Sequence, residues 1–580
     1  MAIPTLRAQL TTQGEPAVGN STQLTTSQAH LDATLFSGAD MCASIAAACA
    51  ALGTTSYPAG ATIDARGFTG INVCKAVNIT TMLNGCVGGS GHNGGKLLLG
   101  NVNLYADGPA SPATTYSDGL GSGVGTPALI IPSFFWGIEG ISRGALGVNS
   151  TTAGIGTFLS VCTGTNTPVQ GCHNPFPQRS FGISSTSIAG TTMTIALSTS
   201  PPAGSFYSGE LAMVKGNNVP ANNGTFKIQS FAGSTVTVTV PSGTLPCSSS
   251  CGTLWLGTPI LGFGPSAGVA YNGCATGSLC AGFGQHIKNL GFNCQNLDGC
   301  IGWQNLYGEE EGGADTFVIN NYSFVGVDIH GFGSQNFGPV LNAEIYTGPN
   351  NMNCDFGTTG IYMGDAETRG LNGWTINQDV SNQVPLCRGG TMVLHKPIAA
   401  VLLDAMNTEV RNGHCEGFDN CVLIGANNGS ASGNHASGIV GGPAVNAGTN
   451  VVQVSGNYKS SNGNYVVERI RRNNSTNAVM DNINSVTLSD NFISLYAYAG
   501  IRAGAIRSGV NANTDLAGSC RLGTNCVNIP FSQSYSNKPI CTCSDTSGTV
   551  AACNAQVALG SPTTLTLVGS GTHTLNYIGR

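Results

Sequence analysis

Short apolar runs separated by Asn/Gly corners recur roughly every 20–30 residues between about 283 and 510. They include His286-Ile-Lys-Asn-Leu-Gly-Phe292, Phe317-Val-Ile-Asn-Asn-Tyr-Ser-Phe324, Gly326-Val-Asp-Ile-His330 and Val340-Leu-Asn-Ala-Glu-Ile-Tyr346. Gly360-Ile-Tyr-Met363, Ala400-Val-Leu-Leu403, Cys421-Val-Leu-Ile-Gly425 and Ser485-Val-Thr-Leu488 continue the series. No helical pattern intervenes, so the recurrence predicts a β-solenoid, with Asn at the corners tolerating left-handed bends. The one helical pattern is Met41-Cys-Ala-Ser-Ile-Ala-Ala-Ala-Cys-Ala-Ala-Leu52, capped by Ser37–Asp40 and closed by Gly53. Met41, Ile45, Cys49 and Leu52 share one of its faces, as suits a helix covering the open end of a stack. Between about 155 and 260 the period changes to strict alternation, as in Ser234-Thr-Val-Thr-Val-Thr-Val240. This predicts antiparallel strands in a small inserted sandwich or barrel.

The expected organisation is an extended lead-in over 1–35 and a cap with the first coils over 36–155. An inserted β-rich module then spans 156–260, the main β-helix 261–510, and a Cys-containing segment 511–580.

Composition narrows the class. Charged residues make up 9% of the chain and glycine contributes 83 residues, against about 25% charged in an ordinary domain. No uninterrupted run of about 18 apolar residues supports a membrane span. The net charge of -6 and the single basic knot Arg469-Ile-Arg471-Arg472 leave no footprint for nucleic acid.

Twenty-one cysteines point to disulfides in an oxidising compartment and hence to a secreted protein. The close spacings are Cys42/Cys49, Cys74/Cys86, Cys162/Cys172, Cys247/Cys251, Cys274/Cys280, Cys294/Cys300, Cys415/Cys421, Cys520/Cys526 and Cys541/Cys543. None is the CxxC of a zinc site. Connectivity is not derivable from spacing, and the odd count leaves a thiol over. The amino terminus carries no basic-then-apolar leader, as a mature form with an added start Met would not.

Gly38-Ala-Asp-Met-Cys-Ala-Ser-Ile-Ala-Ala-Ala-Cys-Ala-Ala-Leu52, followed by Gly60-Ala-Thr-Ile-Asp-Ala-Arg-Gly-Phe68, resembles the opening of pectate-lyase-superfamily (pectin-lyase-like) proteins. His414-Cys-Glu-Gly-Phe-Asp-Asn-Cys-Val-Leu-Ile-Gly425 and Gly299-Cys-Ile-Gly-Trp-Gln-Asn-Leu-Tyr307 look like coils of that superfamily. The resemblance covers roughly 36–155 and 255–510. It implies a right-handed parallel β-helix with polysaccharide as partner, in a superfamily of lyases, hydrolases, epimerases, depolymerases and non-catalytic members. Asn513-Thr-Asp515 and His330-Gly-Phe-Gly333 are fragments of the polygalacturonase signature, out of order and without its other elements. The pectate lyase calcium site and arginine base are not recognisable.

Charge is densest over about 309–419, where residues one coil apart would line one groove. Catalytic candidates are Asp328, His330, Glu344, Asp365, Glu367, Arg369, His414 and Glu416. Asp328 with Glu344, or Glu344 with Asp365, would supply the two carboxyl groups of a glycosidase. Arg369, Lys396, Arg411 or His414 would supply the base of a lyase. Trp303, Tyr307, Tyr346 and Tyr362 would form a sugar-stacking platform or else stack inside the coils, with Lys396 and Arg411 beside them as substrate contacts. Glu309, Glu310, Glu311 and Asp315 would hold calcium, the one metal these residues suggest, or form a solvated acidic turn. For His414 and Glu416 the competing reading is a structural corner stapled by a Cys415–Cys421 bridge. The leading expectation is a polysaccharide-cleaving enzyme. The alternative is a non-catalytic surface, adhesive or filament-forming protein, since strand edges at the solenoid ends invite self-association.

Overall fold

When an apolar residue returns once per coil, the strands carrying it stack in register and bury it against its predecessor. In the computed structural model of the chain, Ile287, Ala314, Val340, Ile376, Val410 and Ala436 form such a column, each paired in parallel with the next. Trp303, Val327, Ile361, Val401, Val422 and Val452 form a second. Every one of these side chains is buried, and both columns face one shared core. The chain therefore winds between a broad 17-stranded sheet and a narrow 10-stranded one, both parallel. This is a parallel β-helix, the class that the recurrence and the resemblance imply.

The structure describes residues 29–52, 60–74, 82–83, 86, 94–107, 129–131, 136–144, 156–162, 172–173, 180–201, 211–219, 222–240 and 244–263. Further along it describes 282–295, 297, 299–305, 308–310, 312–322, 324–329, 338–346, 359–364, 375–381, 399–416, 418, 420–424 and 434–441, then isolated strands from 450 to 579. Of 130–131, 282–283, 308–310, 378–381, 416, 440–441, 450–451 and everything from 453 on, it describes the backbone alone. Of the expected lead-in over 1–35, residues 1–28 lie outside the described residues, as does the basic knot at 469–472.

Strands of the broad sheet turn a corner without leaving the ladder. In His286–Asn293, Gly313–Asn320 and Pro339–Tyr346 the bend falls on Asn289, Thr316 and Asn342, with φ of 54°, 55° and 49°. The flanking pairs hold these three in one column. Asn accepts a left-handed backbone readily and a β-branched residue does not. Thr316 is held there by its own hydroxyl, which donates to Asp315 Oδ1 at 2.9 Å, while Asn342 Nδ2 donates to the same oxygen at 2.8 Å. Asn412, φ 52°, makes the corresponding bend two coils on, between Glu409–Arg411 and His414–Glu416.

The helix Met41–Leu52 forms where predicted, with the Ala43 amide donating to the Asp40 carboxylate at 2.8 Å as its cap. Met41, Cys42, Ile45, Ala48, Cys49 and Leu52 are buried in the same core as the first coils. Two disulfides, Cys42–Cys74 and Cys49–Cys86, tie it down. Cys42 and Cys49, close in sequence, are thus not partners of each other, and neither are Cys74 and Cys86. Seven residues along a helix separate the first two by about 10 Å, beyond the reach of about 7 Å that a disulfide has. Cys162–Cys172, Cys247–Cys251, Cys294–Cys300 and Cys415–Cys421 pair as their spacing suggests. Cys274, Cys280 and Cys526 lie outside the described residues, and of Cys520, Cys541 and Cys543 only the backbone is described. Because Cys42–Cys74 closes a 32-residue separation, its removal in a Cys42→Ser/Cys74→Ser double variant is expected to cost about 3–4 kcal/mol, read as a lowered denaturation midpoint.

Between the strands Phe158–Val161 and Thr258–Phe263 the chain makes a closed six-stranded antiparallel barrel. Its strands Thr192–Leu197, Leu211–Lys215, Gly224–Ala232 and Thr235–Thr239 were expected, and Ser180–Ala189 and Thr253–Leu256 complete it. Alternation decides its two faces: Ala212 and Val214 fill the barrel core, while Leu211 and Met213 pack outward with Ile301, Phe324 and Val325 of the solenoid. Past 510 the described backbone forms two three-stranded antiparallel sheets.

Candidate functional site

The left-handed corner divides the broad sheet into two arms, and their outer faces differ in chemistry. On the first arm Lys288 stands in register between Glu139 and Asp315, and Lys96 Nζ lies 3.5 Å from Glu139. Arg66 bonds Asp64 through Nε and Nη2 at 2.9 and 2.6 Å, holding that carboxyl below its ordinary range. Glu409 is 3.6 Å from Arg411 and 3.8 Å from His435. Opposite charges in register, exposed to solvent, make a charge-balanced face whose pairs contribute little each.

On the second arm the order is different. One column runs Gly291, Val318, Glu344, Asp379, His414, each in parallel register with the next. A second, two positions along, runs Asn293, Asn320, Tyr346, Ser381, Glu416. Phe292, Ile319, Ile345 and Cys415 alternate with these and are buried in the core, so Glu344 and His414, both partly exposed, lie on the outer face. Three successive coils thus carry an acid, an acid and a histidine at one register position. Neighbouring coils are about 4.8 Å apart.

Arg143 enters this face from the chain following the strand Trp136–Gly140. Its Nη2 forms an ion pair with Glu344 Oε1, and its Nη1 donates to the Asn342 carbonyl at 3.3 Å. Both partners of the pair are between a quarter and a third exposed. To reach Glu344 the chain crosses Gly291, where a Cβ would fall 2.3 Å from the Phe158 ring and 2.8 Å from the Arg143 carbonyl. Glycine at 291 permits that crossing.

The residues singled out in the sequence distribute unevenly. Asp328 lies on the narrow sheet, fully buried, accepting from Gln304 Nε2 at 2.8 Å; it is neither exposed nor near Glu344, and that pairing is corrected. The two residues are less than one coil apart, so they land on different sheets. Trp303 and Tyr362 are fully buried, and the platform reading gives way to stacking inside the protein for both. Trp303 packs against Phe263 and Phe317 with ring centroids 5.1 and 6.2 Å away. Tyr362 packs on the outer side of the narrow sheet with Leu402 and Leu423. Tyr346 is also buried, which pushes its phenol above the ordinary value, and so offers no open ring face.

Arg411 belongs to the first arm, across the Asn412 bend from His414. The Cys415–Cys421 bridge is formed, so His414 and Glu416 do sit on a stapled corner as well as in the first and second columns respectively. Asp315 lies within a strand, bonded to Thr316 and Asn342, and is not part of an acidic loop. Glu309 and Glu310 lie on the short strand Gly308–Glu310, whose side chains are not described. His330, Asp365, Glu367, Arg369, Tyr307, Lys396 and Glu311 lie outside the described residues.

Among the described residues one group of three has metal-ligand types within reach of one another, Asp107, Cys162 and Cys172. Its two sulfurs are bonded to each other and Asp107 accepts from the His173 amide at 2.5 Å, so it offers no thiolate. Two residues of this face were not anticipated, Asp379 in the column and Arg143 beside it. The cue for Asp379 was available: Glu344, Asp379 and His414 are each 35 residues from the next. Nothing local marks Arg143, which is 201 residues from its partner.

No family model matches the chain, and no curated protein does. Among solved structures it is similar to the tailspike gp61 of Pseudomonas phage phi297, at 12% identity and a TM-score of 0.19, over 86% of this chain and 91% of that one. The tailspike gp49 of Pseudomonas phage LKA1 follows at 10% identity and a TM-score of 0.19, over 84% and 88%. The Gp54 tailspike of Acinetobacter baumannii bacteriophage AP22, solved in complex with A. baumannii capsular saccharide, matches at 9% identity and a TM-score of 0.17, over 90% of each chain.

Proposed function

We propose that this protein is a secreted glycoside hydrolase that cleaves a linear polysaccharide lying along the second arm of the broad sheet. The observation that carries the reading is the column Glu344–Asp379–His414, one chemically competent residue per coil at a single register position. Hydrolysis of a glycosidic bond calls for two carboxyl groups about 5–10 Å apart. Residues on adjacent coils start about 4.8 Å apart, and side chains of unequal length adjust from there. Glu344 and Asp379 are the pair; His414, Ser381 and Glu416 border it. The coil rise is close to the length of one sugar in a chain, which suits a polymer running along the solenoid.

Secretion is supported by the disulfides, which persist in oxidising compartments. In the same reading the helix Met41–Leu52 caps the amino-terminal end, the barrel is an insertion into the solenoid, and the coils from about 261 to 510 form the working unit. The test is incubation with neutral, amino-sugar and uronate polysaccharides, with and without calcium, following reducing ends and unsaturated products together. Reducing ends without unsaturated products are expected. Unsaturated products would make it a lyase, binding without cleavage a non-catalytic glycan-binding protein, and neither binding nor cleavage would end the polysaccharide reading.

A further inference from the structure

Arg143 is delivered to Glu344 by a segment fastened on both sides. The Thr157 amide donates to the Ser142 carbonyl at 2.8 Å, and Thr157 Oγ1 accepts from the Ile141 amide at 3.1 Å. The same hydroxyl donates to the Gly100 carbonyl at 2.6 Å, and Gly156 donates to Asn101 Oδ1 at 3.0 Å. The Gly291 amide donates to the Thr157 carbonyl at 2.8 Å, joining this clasp to the strand beneath it. Gly140 and Gly291 let it lie close: a Cβ at 140 would fall 2.2 Å from the Asn289 carbonyl, and one at 291 would strike Phe158 and Arg143. The result is a side chain fixed across two strands, His286–Asn293 and Gly313–Asn320, onto a third.

We infer that Arg143 is a positioning residue that holds the Glu344 carboxylate at its place in the column, with Thr157 as the fastening that holds Arg143. This rests on the glycan-cleaving reading of that column. One guanidinium nitrogen takes the Glu344 carboxylate and another takes the Asn342 carbonyl of the same strand. The fork therefore fixes the carboxylate relative to its own backbone, which a flexible ammonium does less well. A carboxylate released from such a clamp shifts by about an ångström, and a misplacement of that size costs on the order of 10²-fold in rate. The substrate meets Glu344 and not Arg143, so the loss falls on kcat.

The experiment compares the full chain with Arg143→Ala, Arg143→Lys, Thr157→Ala and Glu344→Gln, measuring kcat and KM on the polysaccharide it cleaves, with thermal melting as the folding control. Arg143→Ala is expected to lower kcat about 10²-fold with KM within about 3-fold. Arg143→Lys recovers part of that loss, and Thr157→Ala shows a smaller loss of the same kind. If Arg143→Ala fails to fold, the Lys and Thr157 variants decide by the same split. Arg143→Ala keeping the wild-type kcat while Glu344→Gln is inactive overturns the positioning role and leaves the column intact. A rise in KM alone overturns it too, since Arg143 would then bind substrate directly. Glu344→Gln retaining full activity overturns the reading of the column itself, as does a wild-type chain that cleaves no glycan.

Discussion

Glu344→Gln is expected to slow polysaccharide cleavage about 10³-fold, within the range that removal of a general acid or base produces, while glycan binding changes little. The substitution keeps the shape of the side chain and removes its charge and its capacity to exchange a proton. It also leaves Arg143 facing a neutral amide. That pair is partly exposed, so its loss contributes no more than about 1 kcal/mol to stability and the melting temperature stays close to that of the parent. Asp379→Asn is expected to show a loss of similar size, and the double variant to be little worse than the poorer single one, because residues acting as one unit are not additive. Initial rates of reducing-end release measure all three. A double variant whose loss is the product of the singles would show that the two carboxyl groups act on separate events, and the shared-site assignment would fall.

Trp303→Ala is expected to destabilise the protein by about 3–5 kcal/mol, the usual cost of removing a large aromatic from a filled core. Trp303 is fully buried, between Phe263 on the preceding coil and Phe317 across the core on the broad sheet. Phe317 meets Phe292 in turn, at 6.5 Å and nearly edge-on. Removing the indole opens a void that neighbours held by two ladders are unable to close. Because each coil of a solenoid leans on the next, the loss is felt by the coils on either side. Trp303→Phe keeps a ring against Phe263 and Phe317 and removes an indole N–H that has no hydrogen-bond partner among the described residues, so it is expected to cost less than half as much. Chemical denaturation of the two variants gives the comparison; an alanine variant within about 1 kcal/mol of the parent would show that the site collapses.

How much of this was legible depended on whether a property repeats within a coil or only between coils. The ladder of Ile287, Ala314 and Val340 is legible because the apolar positions recur at coil length. Corners were expected between the apolar runs, whereas Asn289 and Asn342 bend the chain inside two of them; their residue type favours the bend, and that of Thr316, in the same column, does not. The helix Met41–Leu52 carried its own cap and face, yet its two cysteines pair with residues more than 30 positions away, which no spacing within the helix reveals.

The candidate site fared less well for the same reason. Charge density singled out the stretch that holds Glu344 and His414, but residues near in sequence are not thereby near in space. Asp328 and Glu344 are 16 residues apart, part of a coil, which carries the chain round to a different sheet. Glu344 and Asp379, a full coil apart, are the ones that meet in register. Of the aromatic residues beside charges, Trp303 faces the core of the coils and Tyr362 lies on an outer face that other residues cover; alternation along a strand does not tell which face is the inner one or whether the outer one is covered.

The column also has a property that does not depend on any chemistry. Val318 precedes Glu344 by 26 residues, while Glu344 and Asp379 are 35 apart, and all three hold the same register position. The extra residues are absorbed in the connections between strands. Coil length and column geometry are therefore independent variables: connections can lengthen, shorten or be exchanged without moving a single column residue. Such a solenoid can change what its loops touch while the register of its columns stays fixed, so that what lies beside a column can diversify and the column itself need not.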